Sequence, residues 1–288
     1  RQMCIRDSSK GSIIYPNFPL ESGIADVVQS PMPLAYVTAG DFIMGSDPAT
    51  DPYYLGACDL NEETPPHKNR TGDYYIGRLE ITNGQFAQFM ADDGYSTQSY
   101  WASGGWTWKN NNEITAPRYW NDPSYMIGDD YPEHPVGGVS WYEAAAYCRY
   151  IGGRLPHESE WEKSGRGADG RIYTYGDIYD SSVFNSGYWP EPVGSYPQSD
   201  SIYGVSDLCG NIFEWTADGW EWGLYTRYAS GSFDPPTGTN YALQRGYKYL
   251  IVGDCDQDYA TRLSYRDTWP RTYRWSIVGF RVAFDPPI

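Results

Sequence analysis

The sequence is poor in the residues from which most metal and redox sites are built. Its 288 residues include three histidines (His67, His134, His157) and five scattered cysteines (Cys4, Cys58, Cys148, Cys209, Cys255). No two cysteines form a Cys-x-x-Cys pair, which excludes a zinc ribbon or a thioredoxin-type dithiol. An odd, widely spread set leaves room for one or two disulfides but not for a dense disulfide scaffold. No window approaches the roughly 20 apolar residues of a membrane-spanning helix. Positive charge is scarce as well: 21 Lys and Arg against 37 Asp and Glu give a formal charge of −16. Such a surface repels phosphate backbones and excludes nucleic acid as the expected partner, while it suits divalent cations or basic peptides. Internal repeats and low-complexity linkers are also missing. One domain over 31–288 is therefore expected, preceded by a leader or irregular N-terminal segment, 1–30, whose first ten residues carry no periodic pattern.

Aromatic residues are abundant instead: 12 Trp, 28 Tyr and 9 Phe, alongside 31 Gly and 21 Pro. Aromatic side chains bury large areas with few rotatable bonds, and the polar tips of Tyr and Trp can bond loop carbonyls. With so many turn formers, the composition predicts a loop-rich globule with few long elements. Residues 34–45 read as two short strands broken at Ala39-Gly40-Asp41, and 74–81 as another, with the polar stretch 46–73 as loop between them. Thr82-Asn83-Gly84-Gln85 and Ser140-Trp141-Tyr142-Glu143 are capping boxes, opening helices over 83–91 and 141–151. Gly152-Gly153 closes the second, and a third short helix is expected within 154–163, entered through Pro156. The segment 94–131 shows neither period and reads as a long aromatic surface loop, or else as a stretch clamped by its own aromatics, whereas 278–284 reads as an alternating strand.

The richest segment for chemistry runs from Gly204 to Trp215. Asp207 and Glu214 stand seven residues apart around a Gly210-Asn211 turn. Calcium takes about six to eight hard oxygens, mixing carboxylates with carbonyls. A turn that folds two carboxylates together while exposing its own carbonyls supplies that mixture, although the spacing is not that of an EF-hand loop. The same residues also read as a tight turn with a solvated Asp and a structural Glu.

Several segments, in order, resemble the formylglycine-generating enzyme (sulfatase-modifying factor) family. They are Ala39-Gly40-Asp41-Phe42-Ile43-Met44-Gly45-Ser46, the run from Tyr75 through Leu79-Glu80-Ile81-Thr82-Asn83, and the run from His134 to Cys148. Gly153-Arg154-Leu155-Pro156-His157-Glu158-Ser159-Glu160-Trp161-Glu162, Pro192-Val193-Gly194-Ser195-Tyr196-Pro197, the Gly204–Trp215 segment and Gly279-Phe280-Arg281-Val282 complete the set, which covers about 33–286. The resemblance implies an α+β, C-type-lectin-like fold with low regular secondary structure, few short helices and small antiparallel sheets. It implies calcium on the Gly204–Trp215 turn, bound by the side chains of Asp207 and Glu214 and the carbonyls of Gly210 and Ile212. A second family calcium site would begin at Asn185 and Ser186, where the later acidic ligand has no clear counterpart.

The family's generating enzymes oxidise a cysteine in a protein or peptide substrate to formylglycine, using oxygen and copper held by two cysteine thiolates. Two thiolates suit Cu(I) because both are soft. In the corresponding stretch, 245–262, Tyr247 and Lys248 stand where the family has Gly-Ser, and Cys255 is the one cysteine. Cys255 is thus the candidate catalytic residue, as a nucleophile or single copper ligand. It reads equally as a structural thiol, since Asp254, Asp256 and Asp258 around it make a thiolate scarcer. A related branch, the ergothioneine-type sulfoxide synthases, holds iron with three histidines drawn largely from an additional helical domain. The three histidines here fall in structural segments, with His157 where the family usually has a capping Thr. Cys148 is expected to be a free buried thiol, because its usual partner position holds Val282, and Cys209 to pack as a small apolar residue.

Two functions follow for this chain. One is an oxidoreductase acting on a cysteine, or another group, of a protein substrate. The alternative is a non-catalytic, calcium-stabilised, lectin-like domain that binds peptides or glycans through the Trp and Tyr of 94–131 and 215–239. A third class, different chemistry within the same superfamily, has no locatable site. An acidic calcium-binding domain fits a secreted or bacterial periplasmic setting.

Overall fold

The computed structural model describes residues 32–54, 63–234, 236, 240–246 and 257–286. Three small sheets and six short helices appear among them. β1 (Leu34–Val37) and β2 (Gly40–Met44) are the two expected strands, but the break falls at Thr38 and Ala39, and Gly40 and Asp41 already belong to β2. β2 pairs with β3 (His67–Thr71), with Gly40 opposite Thr71 and Met44 opposite His67. β3 lies within the stretch read as loop. Its His67, Asn69 and Thr71 face inward and Lys68 and Arg70 outward, so it alternates in burial but not in hydrophobicity.

β1 also pairs antiparallel with β4 (Tyr74–Gly77), the first half of the strand expected at 74–81. Helix α1 (Asn83–Ala91) follows with both arms of its capping box made: Gln85 N–H donates to Thr82 Oγ1 (3.2 Å) and Thr82 N–H to Gln85 Oε1 (2.9 Å). The segment 94–131 is not a surface loop throughout. It contains α2 (Ser103–Asn111) and buries Tyr95, Trp101, Ile114 and Ile127. Trp101 Nε1 donates to the Gly94 carbonyl at 2.9 Å, and Lys109 Nζ lies 4.3 Å from the Trp106 ring centre. Clamping by its own aromatics orders this segment without a hydrophobic period.

Helix α3 (Trp141–Tyr150) has the second capping box, and Glu143 within it also accepts from Tyr95 Oη at 2.6 Å. Gly152, at φ 78°, ends it as expected. Helix α4 (Glu158–Arg166) starts later than expected, because Arg154 bridges to Ala283 and the chain stays extended through His157. Two carboxylates cap its entry: Glu160 accepts from His157 N–H and Asp218 from Glu158 N–H.

The largest sheet is built from β5 (Phe213–Gly219), β6 (Tyr241–Arg245), β7 (Arg266–Pro270) and β8 (Val278–Gly279), in the order β7-β6-β5-β8. Helix α5 (Leu224–Ala229) lies in sequence between β5 and β6, and α6 (Gln257–Ala260) between β6 and β7. The strand expected at 278–284 is split. β8 lies parallel to β5, and the chain then crosses to place β9 (Ala283–Phe284) against β4. Every residue from 277 to 284 is buried, so alternation fails: this segment is covered on both sides.

Phe86, Phe89, Tyr147 and Phe280 pack together where α1 and α3 meet this crossing, with Phe86 and Tyr147 stacked 5.5 Å apart. Such ring pairs contribute about 0.5–1.5 kcal/mol each beyond the area they bury. Cys148 and Cys209 are free and buried, as expected. None of the described helices is long and apolar enough to cross a membrane.

The start of α4 generates a pH dependence. His157 Nδ1 lies 3.1 Å from Asp218 Oδ1, and this hydrogen bond raises the imidazole's pKa against the opposing effect of burial. Folding therefore favours the protonated ring. The contribution is fully present below the ordinary value of 6.5 and is lost as pH rises through the raised folded value. Asp218→Asn should flatten the decline in Tm between about pH 6 and pH 9. Parallel Tm–pH curves for variant and parent would remove this assignment.

Candidate metal centre

The segment 204–215 forms a tight turn whose two acidic residues are both buried. Asp207 and Asn211 adopt left-handed backbone conformations (φ 61° and 70°), which fold the chain back on itself between them. Gly210 sits so close to the 185 segment that a Cβ would lie 2.8 Å from the Asn185 carbonyl oxygen, so glycine is required there. Glu214 enters β5 with no exposed surface. Arg281 clasps its carboxylate from Nε to Oε2 and from Nη2 to Oε1, both at 2.6 Å, and Trp161 Nε1 donates to Oε2 at 3.1 Å. Asp207, 5% exposed, accepts from Gly194 N–H through Oδ2 at 2.6 Å.

The structure adds a third carboxylate. Glu80 is buried; its Oε2 accepts from Asn211 Nδ2 at 2.7 Å, and its Oε1 is buried with no hydrogen-bond partner. Burial, and then the charges of Asp207 and Glu214, hold the Glu80 carboxyl well above the usual range. Burial pushes Asp207 up to about 6, opposed by the Gly194 N–H and by Arg281. Three acidic groups thus share the field of one arginine. With Glu80 protonated, Asp207, Glu214 and Arg281 still sum to one negative charge in a buried place.

Asn185 joins this group. Its Nδ2 donates to Asn211 Oδ1 (3.0 Å) and to the Trp189 carbonyl (2.9 Å), so the segment read as a second calcium site is tied directly to the turn. Ser186 is placed otherwise, donating from Oγ to the Ser181 carbonyl at 3.0 Å. The donors fit a hard cation. A carboxylate offers about four lone-pair positions, and Arg281 Nη2 occupies one of those on Glu214 Oε1. Among the described residues, however, no three His, Cys, Asp or Glu side chains converge closely enough to hold a metal by themselves, so backbone carbonyls would have to complete the set. The histidines have separate surroundings: His67 lies against Tyr225, His134 against Tyr131, and His157 on Asp218. Cys255 lies outside the described residues.

Sequence reasoning passed over Glu80 and Arg281. The one signal is a single charge inside an apolar run, Leu79-Glu80-Ile81 and Phe280-Arg281-Val282, which marks a buried ion but not its partner or its place at this turn.

The sequence matches the family model described as "Sulfatase-modifying factor enzyme 1-like domain" over residues 26–286. It is 31% identical over 267 residues to hercynine oxygenase of Mycolicibacterium thermoresistibile, covering 85% of this chain and 57% of that protein. It is 27% identical over 312 residues to the formylglycine-generating enzyme of Mus musculus, covering 92% of this chain and 80% of the relative. The chain therefore spans a little over half the length of the hercynine oxygenase it matches. Among solved structures, PvdO from Pseudomonas aeruginosa superposes with a TM-score of 0.64 over 88% of this chain and 94% of its own, at 22% identity, a likeness of fold.

The Arg281–Glu214 pair yields a stability test. Arg281→Leu leaves a buried carboxylate uncompensated and should cost about 3–5 kcal/mol in urea unfolding. The double variant Arg281→Leu/Glu214→Leu should recover part of that loss. A double variant no more stable than the single one would show that the pair is not what holds β5 to the 280 segment.

Proposed function

This chain belongs to the sulfatase-modifying factor (formylglycine-generating enzyme) family, and from that premise we propose that it is an oxidising member acting on a thiol-bearing protein or peptide. The observation that carries this reading is the near-complete family match, in a chain whose relatives include an oxygenase and a formylglycine-generating enzyme. Cys255 is the proposed reactive residue. Cys255 precedes α6 by two residues in sequence, and the Asp258 carbonyl of that helix accepts from Tyr173 Oη at 2.6 Å. The formal charge of −16 supports attraction of a basic peptide.

The stretch that corresponds to the family's copper position does not supply a two-thiolate pair. The stretch 245–262 has one cysteine, and the described thiols, Cys148 and Cys209, are buried separately with pKa values raised by burial, Cys209 to about 11. Calcium does fit. Asp207 and Glu214 would supply side-chain oxygens, and Gly210 and Ile212 carbonyls, whereas Asn185 is tied to this same turn and Ser186 turns to the Ser181 carbonyl, so the second site has no such support. The ion would supply the positive charge that the buried acidic group lacks.

Incubation with oxygen and a Cys-x-Pro-x-Arg peptide, with and without copper, should give peptide aldehyde by mass spectrometry, and Cys255→Ser should lose it. A parallel reaction with hercynine tests the other relative's target. No product from either substrate under any metal condition sinks the oxidising reading. A second reading, a non-catalytic calcium-stabilised domain for peptides or glycans, is favoured by the lone cysteine in 245–262 and predicts peptide retention without turnover.

Chelation should lower Tm. A ligand at about 100 times its Kd adds about 2.7 kcal/mol to the folded state. In a domain of this size that amounts to about 5–10 °C. Asp207→Ala should abolish the shift, and a melting curve indifferent to chelator would eliminate the calcium site.

A further inference from the structure

A cavity of about 210 Å³ lies where the β2–β3 hairpin, the first turn of α4, the end of β5 and the α5 region meet. It shares no lining residue with the Asp207–Glu214 turn. One wall carries a histidine–carboxylate pair. Asp218, 5% exposed, is fixed by Glu158 N–H and by His157 Nδ1, while the His157 side chain is 41% exposed, with Nε2 its uncommitted ring nitrogen. The opposite wall is aromatic: Tyr228 is buried and Phe233, 5.9 Å away, is 45% exposed.

Each buried charge lining this cavity already has a partner, and Arg70, 75% exposed, keeps its hydration. Asp218 pairs with His157 (3.1 Å), Glu158 with Arg266 (2.8 Å), Glu160 with Arg154 (2.7 Å) and Arg70 with Asp41 (3.8 Å). An entering ion would lose its hydration and find no uncompensated counter-charge. A neutral ligand that both donates and accepts hydrogen bonds has no such penalty. It would meet polar groups that include the Ser159 hydroxyl and the imidazole, whose orientation Asp218 fixes before it arrives. The volume lies below the roughly 300–1,000 Å³ of sites for drug-sized molecules, which limits the occupant to about one small ring.

We propose that this cavity binds a neutral saccharide unit, stacked on Phe233 and hydrogen-bonded at His157 and Ser159. Hydroxyls around one ring supply donors and acceptors together, and the ring's C–H face suits an aromatic wall. Two forms of the unit share this chemistry, a free sugar and the end of a glycan.

The methyl glycosides of glucose, galactose, mannose and N-acetylglucosamine are titrated against the full chain by saturation-transfer NMR, and the same sugars are immobilised through C1 for column retention. One glycoside should bind saturably with Kd on the order of millimolar, and Phe233→Ala should weaken it about tenfold. His157→Gln, checked for folding by circular dichroism, should weaken it too. Retention on the column identifies a glycan terminus, and binding in solution alone identifies a free sugar. Absence of saturable binding by all four overturns the proposal. So does binding that both variants leave unchanged, or equal binding of acetate or tetramethylammonium.

Discussion

Arg281 grips Glu214 where neither has any exposed surface, and the rest of the architecture depends on that contact. The same guanidinium donates to the carbonyls of Gly77 and Ser206, both at 3.0 Å. One side chain thereby joins the end of β4, the turn before β5 and the crossing between β8 and β9. This is also the crossing at which the chain leaves one sheet for another.

The wider pattern has the same logic. A fold with short ladders leaves many buried carbonyls without a strand or helix partner, and such groups must be satisfied some other way. Buried cations do this here. Lys163 donates to the Thr38 and Gly40 carbonyls, Arg166 to those of Ile43 and Gly45, and Arg245 to those of Ser264 and Tyr265. Helix α4 is the hub, since it supplies Lys163 and Arg166 and also Glu158 and Glu162, which face Arg245 and Arg266. Buried pairs of this kind add little net stability over apolar replacements, but losing one partner is costly. They tie segments far apart in sequence into one geometry.

Both capping boxes and the helices they open were legible, because a cap is a local contest between side chain and backbone decided within four residues. The free state of Cys148 followed once Val282 stood in the partner position. β3 and α2 were not legible. β3 alternates polar residues that become buried only because α4 and α5 cover one side of the hairpin, and the 94–131 segment is ordered by ring contacts that have no period. At the candidate centre, Asp207, Glu214 and Asn185 could be read from the sequence. Glu80 and Arg281 could not, since their partners lie more than sixty residues away.

By itself, the sequence determined composition, caps, turns and family. An aromatic-rich, Gly- and Pro-rich chain must fold with short elements, and two carboxylates flanking a Gly-Asn turn are fixed by spacing alone. Only the tertiary structure decided which charges are buried and what neutralises them. Burial is a property of the surrounding segments, and the pairing of Arg281 with Glu214 across sixty-seven residues exists only once both β8 and β5 are in place.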